Sequence, residues 1–121
     1  TLTIITYGNA LYLSLQAQKE IEKKIKKKIK VIDLRWLSDI KFSSLVKELN
    51  ICKKVLLVDE CRKTGCHGEG LYYELHKRVN TDVKIRLHAA ENSFISLGVS
   101  ATATLPSKQS IIDHSIGLLN E

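Results

Sequence analysis

The sequence holds a single proline, Pro106, and no stretch rich in proline, glycine and serine. Nothing in it reads as a linker, and with no internal repeat the 121 residues are expected to form one domain of ordinary size. Long apolar runs are missing too: none approaches the ~20 residues needed to cross a bilayer. The chain does not open with a basic start and an apolar stretch, so no signal peptide is expected. Cysteine is scarce and odd in number: Cys52, Cys61 and Cys66. In a chain with 44% hydrophobic residues, able to fold without staples, that count speaks against a disulfide framework. It favours reduced thiols in a cytoplasm or an organelle matrix.

Acidic charge is also short. The formal net charge is +6, and most of the excess sits in one place: Lys19, Lys23, Lys24, Lys26, Lys27, Lys28 and Lys30 face only Glu20 and Glu22. A basic stripe is the footprint of a nucleic-acid binder, but the stretch lacks aromatic and base-reading side chains. A membrane-surface helix would need the apolar face formed by Ile21, Ile25 and Ile29, which the core requires. A solvated helix face is expected, with neither nucleic acid nor membrane as partner.

What the chain does contain is alternation. Leu2–Tyr7 is short, apolar and β-branched, and stops at Gly8-Asn9, as a strand ending in a turn does. From Ala10 to about Lys28 the period turns helical. Leu11, Ser14, Gln18, Ile21, Ile25 and Lys28 trace the inner stripe, with Leu15 and Ala17 beside it and Asn9 as N-cap. Ile29–Leu34 reads as a second strand. Ser38 or Asp39 can cap a helix to about Asn50 with Leu45, Val46 and Leu49 inward. Val55–Val58 is a continuous apolar run, the mark of a strand buried on both faces. A polar, glycine-rich turn, Asp59 to Gly70, leads to a helix from about Glu69 to Val79. Val83–Leu87 is a fourth strand and Ala89–Leu105 a loop. Pro106 opens a last helix, capped by Ser107, with Ile111, Ile112, Ser115, Leu118 and Leu119 apolar. The expected fold is α/β: a three-layer αβα sandwich around a mostly parallel or mixed sheet of about four to five strands. Its functional residues should lie at the carboxyl ends of the strands.

The turn after the third strand is the strongest local candidate. Gly65, Gly68 and Gly70 stand where a buried strand hands over to a helix, and free N–H groups there can hold an anion. Arg62, Lys63 and Thr64 would add charge and a hydroxyl. The order G-x-x-G-x-G matches neither the dinucleotide fingerprint nor the phosphate loop, so a tight turn without ligand stands beside the anion site. Cys61, Cys66 and His67 fall short of the four ligands of a structural zinc site, and no metal is expected. Cys66 and His67, as sequence neighbours, make a poor catalytic pair. His76, His88 and His114 read as isolated surface or satisfied histidines. Asp59 and Glu60 could do acid–base work if desolvated, or more simply neutralise Arg62 and Lys63. Phe94-Ile95 in the last loop either marks an interface or tucks back over the sheet edge.

Several segments together resemble the transketolase C-terminal domain family. They are Leu2-Thr3-Ile4-Ile5-Thr6-Tyr7-Gly8, then Val31-Ile32-Asp33-Leu34-Arg35-Trp36-Leu37, then Leu57-Val58-Asp59-Glu60 with Thr64-Gly65 and Gly68. The fourth is Ala89-Ala90-Glu91-Asn92-Ser93-Phe94-Ile95 followed by Leu105-Pro106-Ser107. Within the family the chain looks most like the β-type chain of the decarboxylating component of pyruvate and branched-chain 2-oxoacid dehydrogenases, in its separate form or fused to the α part. The resemblance implies a non-catalytic domain of a longer enzyme, cytoplasmic or, in a eukaryote, of the mitochondrial matrix. Thiamine diphosphate and magnesium would bind in the enzyme's other domains. It implies a role in pairing with the remaining domains and a dimer partner, in shaping the route to the active site, and in receiving the acyltransferase component. Glu60, with Arg62, Lys63, Thr64, Gly65, His67 and Gly68 around it, is the implied anion or partner contact. Three positions depart from the family pattern: Asp59 replaces a common histidine, Cys66 a common glycine, and Gly70 a common acidic residue, with Glu69 one place earlier. A transketolase or deoxyxylulose-phosphate synthase domain, or a free-standing anion or nucleotide binder, stands as the rival expectation. A domain cut from its neighbours should expose an apolar patch.

Overall fold

The computed structural model describes residues 1–121. Its elements run β1 (Leu2–Thr6), α1 (Ala10–Ile25), β2 (Lys30–Asp33), α2 (Phe42–Cys52), β3 (Lys54–Arg62), α3 (His67–His76), β4 (Lys84–Ala90), a 3-10 turn (Gly98–Ala103) and α4 (Lys108–Asn120). The sheet order is β2-β1-β3-β4 and every pairing is parallel. The expected α/β sandwich is present, and its sheet has four strands with no antiparallel member.

The three layers follow from the alternation of side chains along buried strands. Leu2, Ile4, Leu56 and Val58 point to one face and pack with Ile21 of α1 and Ile111, Ile112 and Leu118 of α4. Ile5, Val55, Leu57 and Ile85 point to the other and meet Leu45 and Leu49 of α2 and Leu71 and Leu75 of α3. All five residues of β1 are buried, as its central place requires.

Several local expectations shift. The inner stripe of α1 is Ala10, Ser14, Ala17 and Ile21, rotated from the expected one, and Leu15 is 40% exposed. Small residues win these positions because α1 packs directly beside α4. The helix stops at Ile25, where Lys26 turns left-handed at φ 53°. Asn9 takes helical angles and makes no cap bond. Helix α2 starts at Phe42 with Lys41 in the cap position and no side-chain cap, so the expected caps Ser38 and Asp39 lie upstream of its first turn; Asp39 instead pairs with Lys41 Nζ at 2.8 Å. Strand β3 continues through Asp59–Arg62, held by β4 across an irregular register between Asp59 and Arg62. Strand β4 reaches Ala90, and the expected loop beyond it contains the 3-10 turn. Ser107 does cap α4, in a reciprocal capping box with Ser110.

His88 and His114 are not isolated. Their rings stack 4.1 Å apart, and His88 Nε2 lies 2.7 Å from Ser110 Oγ. Burial first, then the neighbouring His114, pushes His88 down from 6.5 to about 4. Burial lowers His114 as well, helped by Arg86. An unfolded chain therefore binds more protons than the fold between those values, and stability must fall as pH drops through that window. At full weight the His88 shift is worth ~3 kcal/mol; water screening of the part-exposed ring leaves about 1–2 kcal/mol. Urea denaturation between about pH 7 and pH 4.5 checks this, and a His88→Gln, His114→Gln variant should flatten that slope.

Candidate functional site

Because all four strands are parallel, the segments that follow them leave on one edge of the sheet. That edge carries Tyr7-Gly8-Asn9 after β1, Leu34–Lys41 after β2, Lys63–Cys66 after β3 and Glu91–Leu97 after β4. The turn after β3 lies at its centre and is tied to its neighbours. Asn9 Nδ2 donates to Glu60 Oε1 at 3.3 Å. Lys63 N donates to Ala90 O at 2.9 Å. Thr64 and Asn92 bond twice: Thr64 N donates to Asn92 Oδ1 and Asn92 Nδ2 donates to Thr64 Oγ1, both at 2.9 Å.

The anchor of the turn is Asp59. It is 3% exposed and does not neutralise Arg62 or Lys63, contrary to the simpler expectation. Its carboxylate accepts from the Tyr7 hydroxyl, from Cys61 N at 2.9 Å and from Gly68 N at 2.9 Å. Burial by itself would push this carboxyl up. Donation from Tyr7 and from the two amides outweighs it and holds Asp59 below the usual range, so it stands as a charged acceptor at the start of α3. Tyr7 is pushed well up, by burial first and then by its bond to Asp59, and remains a neutral donor. Next along, Cys66 caps α3: its sulfur accepts from Glu69 N at 3.3 Å. Burial raises the Cys66 thiol, which suits a cap and not a nucleophile. Glu69 Oε2 in turn accepts from Gly65 N at 2.8 Å, where Gly65 takes φ 78°.

Two of the three positions that depart from the resembling family, Asp59 and Cys66, and the displaced acid Glu69 thus form one local network. Its consequence is chemical. The amides of Thr64, Gly65, Gly68 and Glu69, which an anion would use, already bond to Asn92, Glu69, Asp59 and Cys66. Those four amides are not free to hold the diphosphate of thiamine diphosphate. Nor does any group of three or more His, Cys, Asp or Glu side chains stand ready for magnesium.

What the turn presents to solvent are side chains. Cys61, Arg62, Lys63, Thr64 and His67 are exposed and Glu60 is partly so. Arg62 Nε donates to Thr64 O at 3.2 Å, and the His67 ring lies edge-on to Tyr7 at 5.6 Å. Grooves flank the turn on both sides. One, of about 550 Å³, runs between Arg62, Thr64 and Gly65 and the Asn92–Phe94 loop. The other, of about 370 Å³, lies between His67 and Gly70 and the Leu37–Phe42 segment.

Around this edge stand apolar side chains in water: Phe94 at 94% exposure, Leu97 at 93%, Val99 at 87% and Trp36 at 77%. Phe94 does not tuck back over the sheet. Tyr7, Trp36, Leu97 and Val99 are site residues that the sequence pattern does not single out. Tyr7 lies at a strand end, where a functional group was to be sought; an exposed Leu or Val in a loop carries no such signal.

Gly68 is fixed by contact. A methyl there would stand 2.9 Å from Asp59 Oδ2 and 3.0 Å from Leu87 Cδ1. Gly68→Ala should cost about 1–3 kcal/mol through overpacking. Gly70→Ala, with nothing within 4 Å, should instead gain about 0.5–1 kcal/mol from helix propensity. Parallel urea titrations of the two variants read both signs.

A family model described as "Transketolase, C-terminal domain" matches residues 1–105. Among curated proteins, the pyruvate dehydrogenase E1 component subunit beta of Staphylococcus epidermidis is 28% identical over 116 residues, which cover 94% of this chain and 35% of that protein. The subunit of the same description from Staphylococcus aureus is 27% identical over 116 residues with the same coverage, 94% and 35%. Among solved structures, one described as "Split gene transketolase, inactive beta4 tetramer" shares the fold at a TM-score of 0.83. Its identity is 16%, over 98% of this chain and 39% of that one. The chain spans about a third of the length of the curated relatives it matches.

Proposed function

The chain belongs to the transketolase C-terminal domain family, and from that premise we propose that it is the C-terminal module of a thiamine-diphosphate-dependent 2-oxoacid dehydrogenase component. The observation that carries this reading is the likeness to pyruvate dehydrogenase E1 beta subunits over 94% of the chain. The module itself supplies no chemistry. Thiamine diphosphate and magnesium bind in the parent's other domains, where decarboxylation of a 2-oxoacid and transfer of the acyl group to a lipoyl arm take place.

The part of this domain is played by the carboxyl edge of its sheet. Phe94, Leu97 and Trp36 are the apolar anchors that a neighbouring domain or a dimer partner would desolvate. Glu60, Arg62, Lys63, Thr64 and His67 form the polar contact set among them, on a turn that Gly65 and Gly68 shape and Asp59 holds rigid. Rigidity there lowers the entropy lost on association. The same edge shapes access to the active site and takes part in receiving the acyltransferase component.

Activity of the full-length parent tests the reading. Reduction of dichlorophenolindophenol should depend on pyruvate or a branched-chain 2-oxoacid, on thiamine diphosphate and on magnesium. Ketol transfer between sugar phosphates, without 2-oxoacid-dependent reduction, would replace the dehydrogenase assignment with a transketolase. Activity of neither kind would sink both.

A further inference from the structure

The lysine-rich stretch lies far from that edge. Helix α1 follows β1 through a crossover and runs back toward the start of the parallel strands, so its end, near Ile25, lies on the amino side of the sheet. Other lysines gather on this side, since Lys30, Lys54 and Lys84 open β2, β3 and β4. Those are neutralised or bonded: Lys30 by Glu48, Lys54 by Leu119 O, Lys84 by Glu121. The α1 stretch is different. Its two acids are spent, Glu20 on Lys108 at the start of α4 and Glu22 on Lys28 just past the end of α1. Glu22 also accepts from Ile29 N. Lys19, Lys23, Lys24, Lys26 and Lys27 are exposed and form no ion pair.

The backbone then gathers them. Left-handed Lys26 ends the helix and folds the following residues back, so that Lys19, Lys23, Lys26, Lys27 and Lys28 line one open groove of about 460 Å³ with Glu22. Lys23 and Lys24 in the last turn suit the helix dipole. That does not account for Lys19, Lys26 and Lys27, whose repulsion goes unanswered within the chain.

We propose that this groove is an electrostatic docking surface for an acidic polypeptide segment. The chemistry selects among polyanions. A helix carboxyl end offers no free N–H groups and its dipole disfavours a single tightly held phosphate. There is no arginine fork for bidentate phosphate recognition and no aromatic ring for base stacking. The apolar face of α1 is spent on the core, with Ala17 and Ile21 fully buried, so the helix has nothing to insert into a lipid surface. Flexible, separately solvated ammonium groups fit carboxylates spread along a mobile chain. Such contact is fast, salt-sensitive and loose in register. The surface is independent of the dehydrogenase reading, because it lies on the opposite side of the sheet from the apolar edge.

The test is fluorescence anisotropy of a labelled oligoglutamate peptide titrated with the full-length protein at low salt. A DNA duplex and vesicles of phosphatidylcholine with phosphatidylserine serve as competing probes. The peptide should bind, should be released at about 1 M salt, where the screening length is ~3 Å, and should be weakened about tenfold or more by Lys19→Gln, Lys23→Gln, Lys27→Gln. Removing the same charge elsewhere, by Arg35→Gln, Lys41→Gln, Lys47→Gln, should change it by no more than about twofold. Both triple variants should melt close to the parent, which keeps a folding defect from mimicking the result. No binding at low salt, equal loss in both variants, or tighter binding of duplex or vesicles than of peptide would each overturn the proposal.

Discussion

Replacing Asp59 with alanine should remove about 3–4 kcal/mol of stability at neutral pH, most of it because the partners of a buried charged acceptor are left without one. The Tyr7 hydroxyl, Cys61 N and Gly68 N all point at this carboxylate, and water cannot replace it at a residue 3% exposed. Asp59→Asn keeps one acceptor oxygen and should lose less; Tyr7→Phe removes one donor and should cost about 1–2 kcal/mol. The effect of pH has a definite sign. Asp59 sits below the usual carboxylate range in the fold, so its contribution is complete above the unfolded value of ~3.9 and fades as pH falls through the lower, folded value. Urea midpoints at about pH 7 and down an acid series give both quantities. If Asp59→Ala loses less than about 1 kcal/mol, or keeps the parent's acid slope, the carboxylate does not anchor the turn.

The layered fold was legible in the sequence because its signals are local. Val55–Val58 is apolar on both faces and could only be a central strand. Ser107 after Pro106 marked the last helix, and Ser107 caps it. What escaped depends on partners far along the chain. Tyr7 and Asp59 are 52 positions apart, and His88 and Ser110 are 22 apart; no periodicity joins them. Polar residues at the end of β3 looked like a turn, yet pairing with β4 carried the strand through them. In α1, the apolar spacing put Leu11 and Ile25 on the inner stripe with Leu15 and Ala17 beside it, whereas the close approach of α4 buries Ala10 and Ala17 along with Ser14 and Ile21. The site was found in part for the same reason. Glycines flagged the turn after β3, but the acceptors that fill its amides are spread from Asp59 to Asn92 and come together only in the folded chain.

Charging the apolar edge should have the largest effect on the parent enzyme and almost none on this domain. Phe94 and Leu97 are 94% and 93% exposed, so Phe94→Glu and Leu97→Glu remove no packing here, and the melting temperature of the domain should hold. If the edge is where neighbouring domains and subunits pack, each anchor is worth about 2–4 kcal/mol on truncation, and a buried, unpaired glutamate costs more. That is a rise of roughly 30- to 1000-fold in the dissociation constant for each substitution. Sedimentation of the full-length parent should then show dissociated species at concentrations where the unaltered enzyme stays assembled, with 2-oxoacid-dependent activity falling in step. Lys47→Glu, in the middle of α2, changes charge by more than either substitution and should leave assembly intact. An assembled, active parent carrying both Phe94→Glu and Leu97→Glu would mean that the exposed ring and aliphatic chains serve no interface. The function proposed for the carboxyl edge would fall with it, while family membership, which rests on residues 1–105 as a whole, would not.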